Sequence, residues 1–164
     1  MQKKIKPILD KYKQPANCST ILAVKVNSEI WSQLQPHQRK GDLILANMQQ
    51  TLRKIAFANL QTAQALLLVD TAAKVDELSK TKPLLAKCVD SVTLLGHINQ
   101  GISSLRRAKI KPVLKEEYAT ICANDGESSS FLFGDDLPKK LRDAKETSIV
   151  SSASITAPVI YTRK

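Results

Sequence analysis

The sequence predicts an all-α protein: two long antiparallel helices with a kinked third helical segment, packed as a coiled-coil-like bundle. Three observations predict it. Apolar residues recur at three-four spacing over two long runs. Hydrophobic residues make up 43% of the 164, yet only 4% are aromatic and only five are glycine. Leu, Ala, Lys, Gln and Ser dominate instead, a helix-leaning composition whose core must be aliphatic.

Residues 1–41 read as a basic, irregular arm. Pro15 and Asn17 mark turns in "KYKQPANCS". "ILAVKVNSEIWSQL" holds a short extended piece and then a helical turn that puts Ile30, Trp31 and Leu34 on one side, with Pro36 and Gly41 closing the arm. Trp31, the only tryptophan, reads as an anchor packing the arm onto the helices, in preference to a base-stacking platform.

The helical domain is expected over 42–146. Asp42 offers an N-cap, and the series Leu45, Met48, Leu52, Ile55, Asn59, Thr62, Leu66, Val69, Ala73, Asp76 follows. It predicts one helix of about 35 residues, roughly 50 Å long. Thr81 and Pro83 suit the start of the second helix, whose series is Leu85, Cys88, Val92, Leu95, Asn99, Ile102. A helix this long needs an antiparallel partner or another chain. The predicted oligomer seam is therefore Leu52, Ile55, Asn59 and Leu66 against Val92, Leu95, Asn99 and Ile102. Asn59 and Asn99 are candidates for fixing register there, the alternative being that they face solvent. Pro112 breaks the second helix, and 112–123 forms the third segment. "FLFGDD" reads as an apolar plug, a turn at Gly134 and a helix capped by Asp135 or Asp136. Residues 147–164, rich in Ser and Thr, read as a disordered tail or linker.

Two stretches imitate a nucleotide site. "GHINQG" has the G-x-x-x-x-G spacing of a phosphate loop, and "ALLLVD" resembles a strand ending in Asp70. Ile102 and Ser103 stand where a phosphate loop needs Lys and then Ser or Thr, and both stretches lie in helical register. Gly96 and Gly101 read instead as positions of close helix approach, at roughly 1 kcal/mol each in helix propensity. His97 reads as a packed, hydrogen-bonded side chain. No nucleophile with a matching base, and no paired carboxylates in an apolar setting, are apparent. The chain is expected to be no enzyme and to need no cofactor, metal or small-molecule substrate. Its three scattered cysteines and two histidines suit neither a zinc site nor a disulfide framework, and point to an intracellular location, cytoplasmic or nuclear. No apolar run is long enough to span a bilayer, so no membrane partner is expected.

Charge suggests a polyanion. The net charge is +10, with +5 in residues 1–42 and +6 in residues 81–115. Basic blocks bind nucleic acid largely by releasing its counterions. The candidate phosphate-binding residues are Lys3, Lys4 and Lys6 in the arm, and Arg106, Arg107, Lys109, Lys111 and Lys115 in "RRAKIKPVLK". A solvated helix end, its cations suiting the C-terminal dipole, is the alternative for the second group; phosphate binding is preferred because the arm adds Lys3, Lys4, Lys6, Lys11 and Lys13.

Several phrases also carry a resemblance over about residues 12–146. "KYKQPANC", "VKVNSEIWSQL", "DSVTLLGHINQGISSLRRAKIKPVL", "EYATICA" and "SFLFGDDLPKKL" resemble, in order, invertebrate proteins that accompany DIRS-type retrotransposons, elements that encode a tyrosine recombinase. These proteins occupy the Gag-like position. That lineage is in turn similar to the carboxy-terminal domain of the alpha isoform of lamina-associated polypeptide two, a helical coiled-coil dimer. The resemblance implies self-association with packaging or tethering, and no turnover. It gives no catalytic residue, and this chain has no zinc knuckle. The expected partners are a second copy of the chain and nucleic acid. The alternative is a helical DNA-binding module associated with a tyrosine recombinase, with Arg106 and Arg107 reaching bases.

Overall fold

A computed structural model of the chain describes residues 2–15, 18, 24–72, 75–123 and 129–154; within its helices the side chains of 2–4, 69–72, 75–80 and 152–154 are not described. The described residues are mostly helical, and none of them forms a β-strand beyond one isolated bridge. In chain order they form α1 (Gln2–Lys11), α2 (Ser28–Gln33), α3 (Pro36–Ala72), α4 (Val75–Ile110) and α5 (Leu137–Ser154). Two 3₁₀ segments, Lys111–Val113 and Glu116–Cys122, join α4 to the last part of the chain.

The predicted antiparallel pair is present as α3 and α4, which make the most extensive contact between elements. Its register is set by polar contacts. Gln49 Nε2 donates to the Asn99 carbonyl at 3.0 Å, and Asn59 Nδ2 donates to Ser91 Oγ at 3.2 Å. Arg106 Nε meets Asp42 Oδ1 at 2.7 Å. Advancing along α3 thus means retreating along α4. Helical spacing turns Leu52, Val92, Leu95, Asn99 and Ile102 toward the partner helix, where all are half-buried. Both asparagines therefore bond across the hairpin within one chain.

Boundaries depart from the sequence reading. α3 starts at Pro36, not Asp42, because proline's fixed φ suits a first helical turn and its missing N–H costs nothing there. Asp42 is then the seventh residue of a helix, and its carboxylate is buried with Arg106 instead of capping. α4 runs from Val75 through Pro83, so Thr81 is no N-cap. The arm holds α1 and α2 and is not irregular throughout. Residues 112–123 form 3₁₀ turns in place of an α-helix, and α5 continues to Ser154, past the expected boundary at 146. Residues 155–164 of the predicted tail lie outside the described residues. Gly96 and Gly101 do not serve close approach within the chain, since a Cβ built on either meets nothing within 4 Å. His97 is exposed, not packed.

The buried core sits at one end of the hairpin, where Ile30, Leu34, Ile110, Leu132, Phe133 and Leu137 cluster. Trp31, Val113, Leu114, Ile121 and Leu141 pack around them. The apolar plug is Leu132 and Phe133, each 2% exposed. Gly134 follows at φ 88°, a left-handed conformation that glycine adopts without the Cβ penalty. Asp136 accepts from the Lys139 N–H at 3.1 Å, capping α5, and the macrodipole favours its charge there.

A candidate nucleic-acid interface and a buried arginine knot

Arg106, expected on the outside, is among the largest fully buried side chains. Its guanidinium grips Asp42 in bidentate fashion, Nε to Oδ1 at 2.7 Å and Nη2 to Oδ2 at 2.9 Å. Nη1 donates to Gln49 Oε1 at 2.7 Å and to the Val24 carbonyl at 2.9 Å. Gln49 passes the network on to Asn99 and, at 2.9 Å, to Ser103 Oγ. A buried charge is tolerated only when it is paired and its donors are used, and Arg106 meets that condition. Arg107 is also buried and donates to the Leu132 carbonyl at 2.9 Å. Neither arginine is presented to a phosphate, and the sequence reading is corrected at both positions.

These bonds form a knot that draws the distant phrases together. Lys25 N donates to Ser130 O and Leu132 N donates to Lys25 O, making one parallel bridge between Lys25 and Phe131. Asn27, 4% exposed, donates to the Gly134 carbonyl at 2.9 Å and accepts from the Phe133 N–H at 3.2 Å. "VNSEIW", "LRR" and "FLFG" are thus pieces of one structural device. Sequence reasoning missed Asn27, Asp42 and Gln49, whose partners lie 50 to 107 residues away along the chain.

Lys109, Lys111 and Lys115 are exposed at the α4 end of the hairpin, and Lys6 is exposed on α1. Lys40, also exposed, lies near the α3 start at the same end as Lys109. The side chains of Lys3 and Lys4 lie outside the described residues. The cationic surface that remains is therefore a lysine group, which attracts phosphate without the bidentate geometry of arginine.

Beside the knot lies a cleft of about 310 Å³ between Val24–Val26, Trp31 and α3. Arg106, Gln49 and Asn99 line it from the knot; Leu43, Asn47 and Gln50 line it from the solvent side. Arg53 also lines it, and burial pushes its guanidinium pKa below the ordinary value.

Of the predicted seam, Ile55 is 45% exposed and Leu66 half-buried. Ile55 belongs to a larger bare face. Ile44, Met48 and Ile55 on α3, with Leu94, Ile98 and Leu105 on α4, are each 45–64% exposed. They follow three-four spacing, with Thr51 and Gly101 between. The antiparallel register puts Ile44 level with Leu105 and Ile55 level with Leu94. The arm lies on the other side of the hairpin, where Lys54 Nζ donates to the Tyr12 carbonyl at 2.7 Å.

No group of three or more His, Cys, Asp or Glu among the described residues is placed to hold a metal ion. No described helix is long and apolar enough to cross a membrane. The chain belongs to the family described as a domain of unknown function, DUF8747, whose model matches residues 1–135. No curated protein and no solved structure matches it.

Proposed function

We propose that this member of the family is a non-enzymatic, Gag-like structural protein of a retroelement that associates with itself and holds nucleic acid. The observation that carries the reading is the bare apolar face of the α3–α4 hairpin. Six large side chains at about half exposure amount to roughly 600 Å² per copy, so about 1,200 Å² for a symmetric pair, the lower end of specific interfaces. Contiguous apolar patches of that size mark association sites more often than ordinary surface. A second copy supplies the matching apolar surface, and pairing two such hairpins yields a four-helix arrangement. Gly101 lies within the face, where it leaves room for another helix to approach.

The net charge of +10 and the lysines at 109, 111 and 115 support the nucleic-acid half of the reading. Burial of Arg106 and Arg107 removes the side chains on which the DNA-binding recombinase-module alternative depended, so that reading loses its base contacts. The resemblance to Gag-like proteins supports assembly over turnover, and the partners are a second copy and a polyanion inside the cell.

The test replaces Leu94 and Ile98 together by Glu. Both are exposed, so the fold is expected to keep its helical circular dichroism. Sedimentation velocity should show the wild type associated and L94E/I98E monomeric. A variant that associates as well as the wild type would take the interface away from this face.

A further inference from the structure

We propose that the cleft beside Trp31 captures one unpaired nucleobase of a nucleic-acid strand, with Trp31 as the stacking wall. The inference deepens the nucleic-acid reading above and rests on it. The first argument is size and wall chemistry. About 310 Å³ is at the lower end of small-ligand sites and suits a single base with part of its sugar. Trp31, Val26 and Leu43 give it apolar lining.

The second argument is the tryptophan itself. The Arg39 guanidinium lies 5.7 Å from the centre of its ring, and Arg39 is not part of the cleft lining. The guanidinium thus holds the ring from a side that the cleft does not use. The indole is already oriented before a ligand arrives, which lowers the ordering cost of stacking.

The third argument is polarity. Asn47 and Gln50 are exposed at the mouth, and each carries both amide donors and an amide acceptor, the complement of a base edge. The only carboxylate in the lining, that of Asp42, is paired with Arg106. Lys25 then adds a positive charge to a lining whose one carboxylate is already taken. That charge favours a phosphate-bearing ligand over a neutral peptide. A base within a duplex presents no free face to such a cleft, so the strand must be single or locally unpaired.

Trp31 is the only tryptophan, so its emission reports this site alone. The experiment titrates the full chain with a uridine 12-mer RNA, a thymidine 12-mer DNA, a 12-base-pair duplex and uridine monophosphate, at about 0.15 M salt. Fluorescence anisotropy of labelled 12-mers, which does not depend on Trp31, runs in parallel. Single strands should quench Trp31, and the duplex should not. Quenching by the monophosphate as strong as by the 12-mers would retain the base site and assign it to free nucleotides as well as strands. Q50E and N47D change exposed positions and should weaken single-strand binding at least fivefold with unchanged helicity. Anisotropy showing binding while Trp31 emission and the Gln50 and Asn47 variants stay unmoved would overturn the inference and leave the lysine reading standing. Equal quenching by the duplex would also overturn it. No binding of any probe by either method would remove the nucleic-acid reading and this inference together.

Discussion

Arg106 and Asp42 form a buried ion pair. Removing one member of a buried ion pair leaves the other charged and unpaired, at a cost of about 3–5 kcal/mol. Asp42→Ala should lower the urea midpoint accordingly, while Asp42→Leu combined with Arg106→Met should recover much of the loss. A loss under about 1 kcal/mol in D42A, well below that of a broken buried pair, would show Arg106 reaching water. Cys122 offers a second test. Burial raises its thiol pKa against the opposing Lys111 and Arg107 charges, so the folded state holds its proton longer than the unfolded state. The contribution of this group to stability is then full below the ordinary thiol pKa and is lost as pH rises from there through the raised folded value. Alkylation of Cys122 near pH 9 should be slower in the folded chain than in urea; equal rates would contradict the burial. The sequence did not disclose the role of Arg106. Charge counting sees "RRAKIK" as a patch, because it is blind to a carboxylate 64 residues away that folding brings within 2.7 Å. Lys109, Lys111 and Lys115, which have no such burial, were read from the sequence as they stand on the surface.

At the scale of elements, three-four periodicity was enough to foresee α3, α4 and their antiparallel contact, because burial along a long helix depends on spacing alone. Ends depend on finer chemistry. Pro36 opens α3 six residues before the expected cap, and Pro83 is carried inside α4. The two 3₁₀ segments, the first of which contains Pro112, bring Val113, Leu114 and Ile121 against the core, which no local pattern shows. Gly96 makes a clean test of α4. With open space where a Cβ would stand, Gly96→Ala should stabilise the chain by about 1 kcal/mol through helix propensity, read as a rise in thermal midpoint. A fall would mean that another surface closes on Gly96. Gly134→Ala should do the opposite, costing about 1–2 kcal/mol, because φ 88° strains any residue with a Cβ.

For the molecule as a whole, the two faces of the hairpin differ in kind. One carries the arm, Trp31 and the cleft, knotted by Arg106, Asn27 and the plug. The other is an apolar strip with nothing of the described chain upon it. The length of the two helices calls for an antiparallel partner or another chain, and the seam predicted between them is largely taken up within one hairpin. The strip of Ile44, Met48, Ile55, Leu94, Ile98 and Leu105 stays exposed on the described chain and is the face proposed for a second copy. The association proposed for it would rest on apolar burial, which salt does not screen, whereas phosphate contacts weaken steeply with salt. The deciding measurement is light scattering coupled to size exclusion on the purified chain, at low salt and at roughly 0.5 M. The account predicts a dimer or larger species that persists at both. A monomer at both salts, with helicity intact, would contradict it.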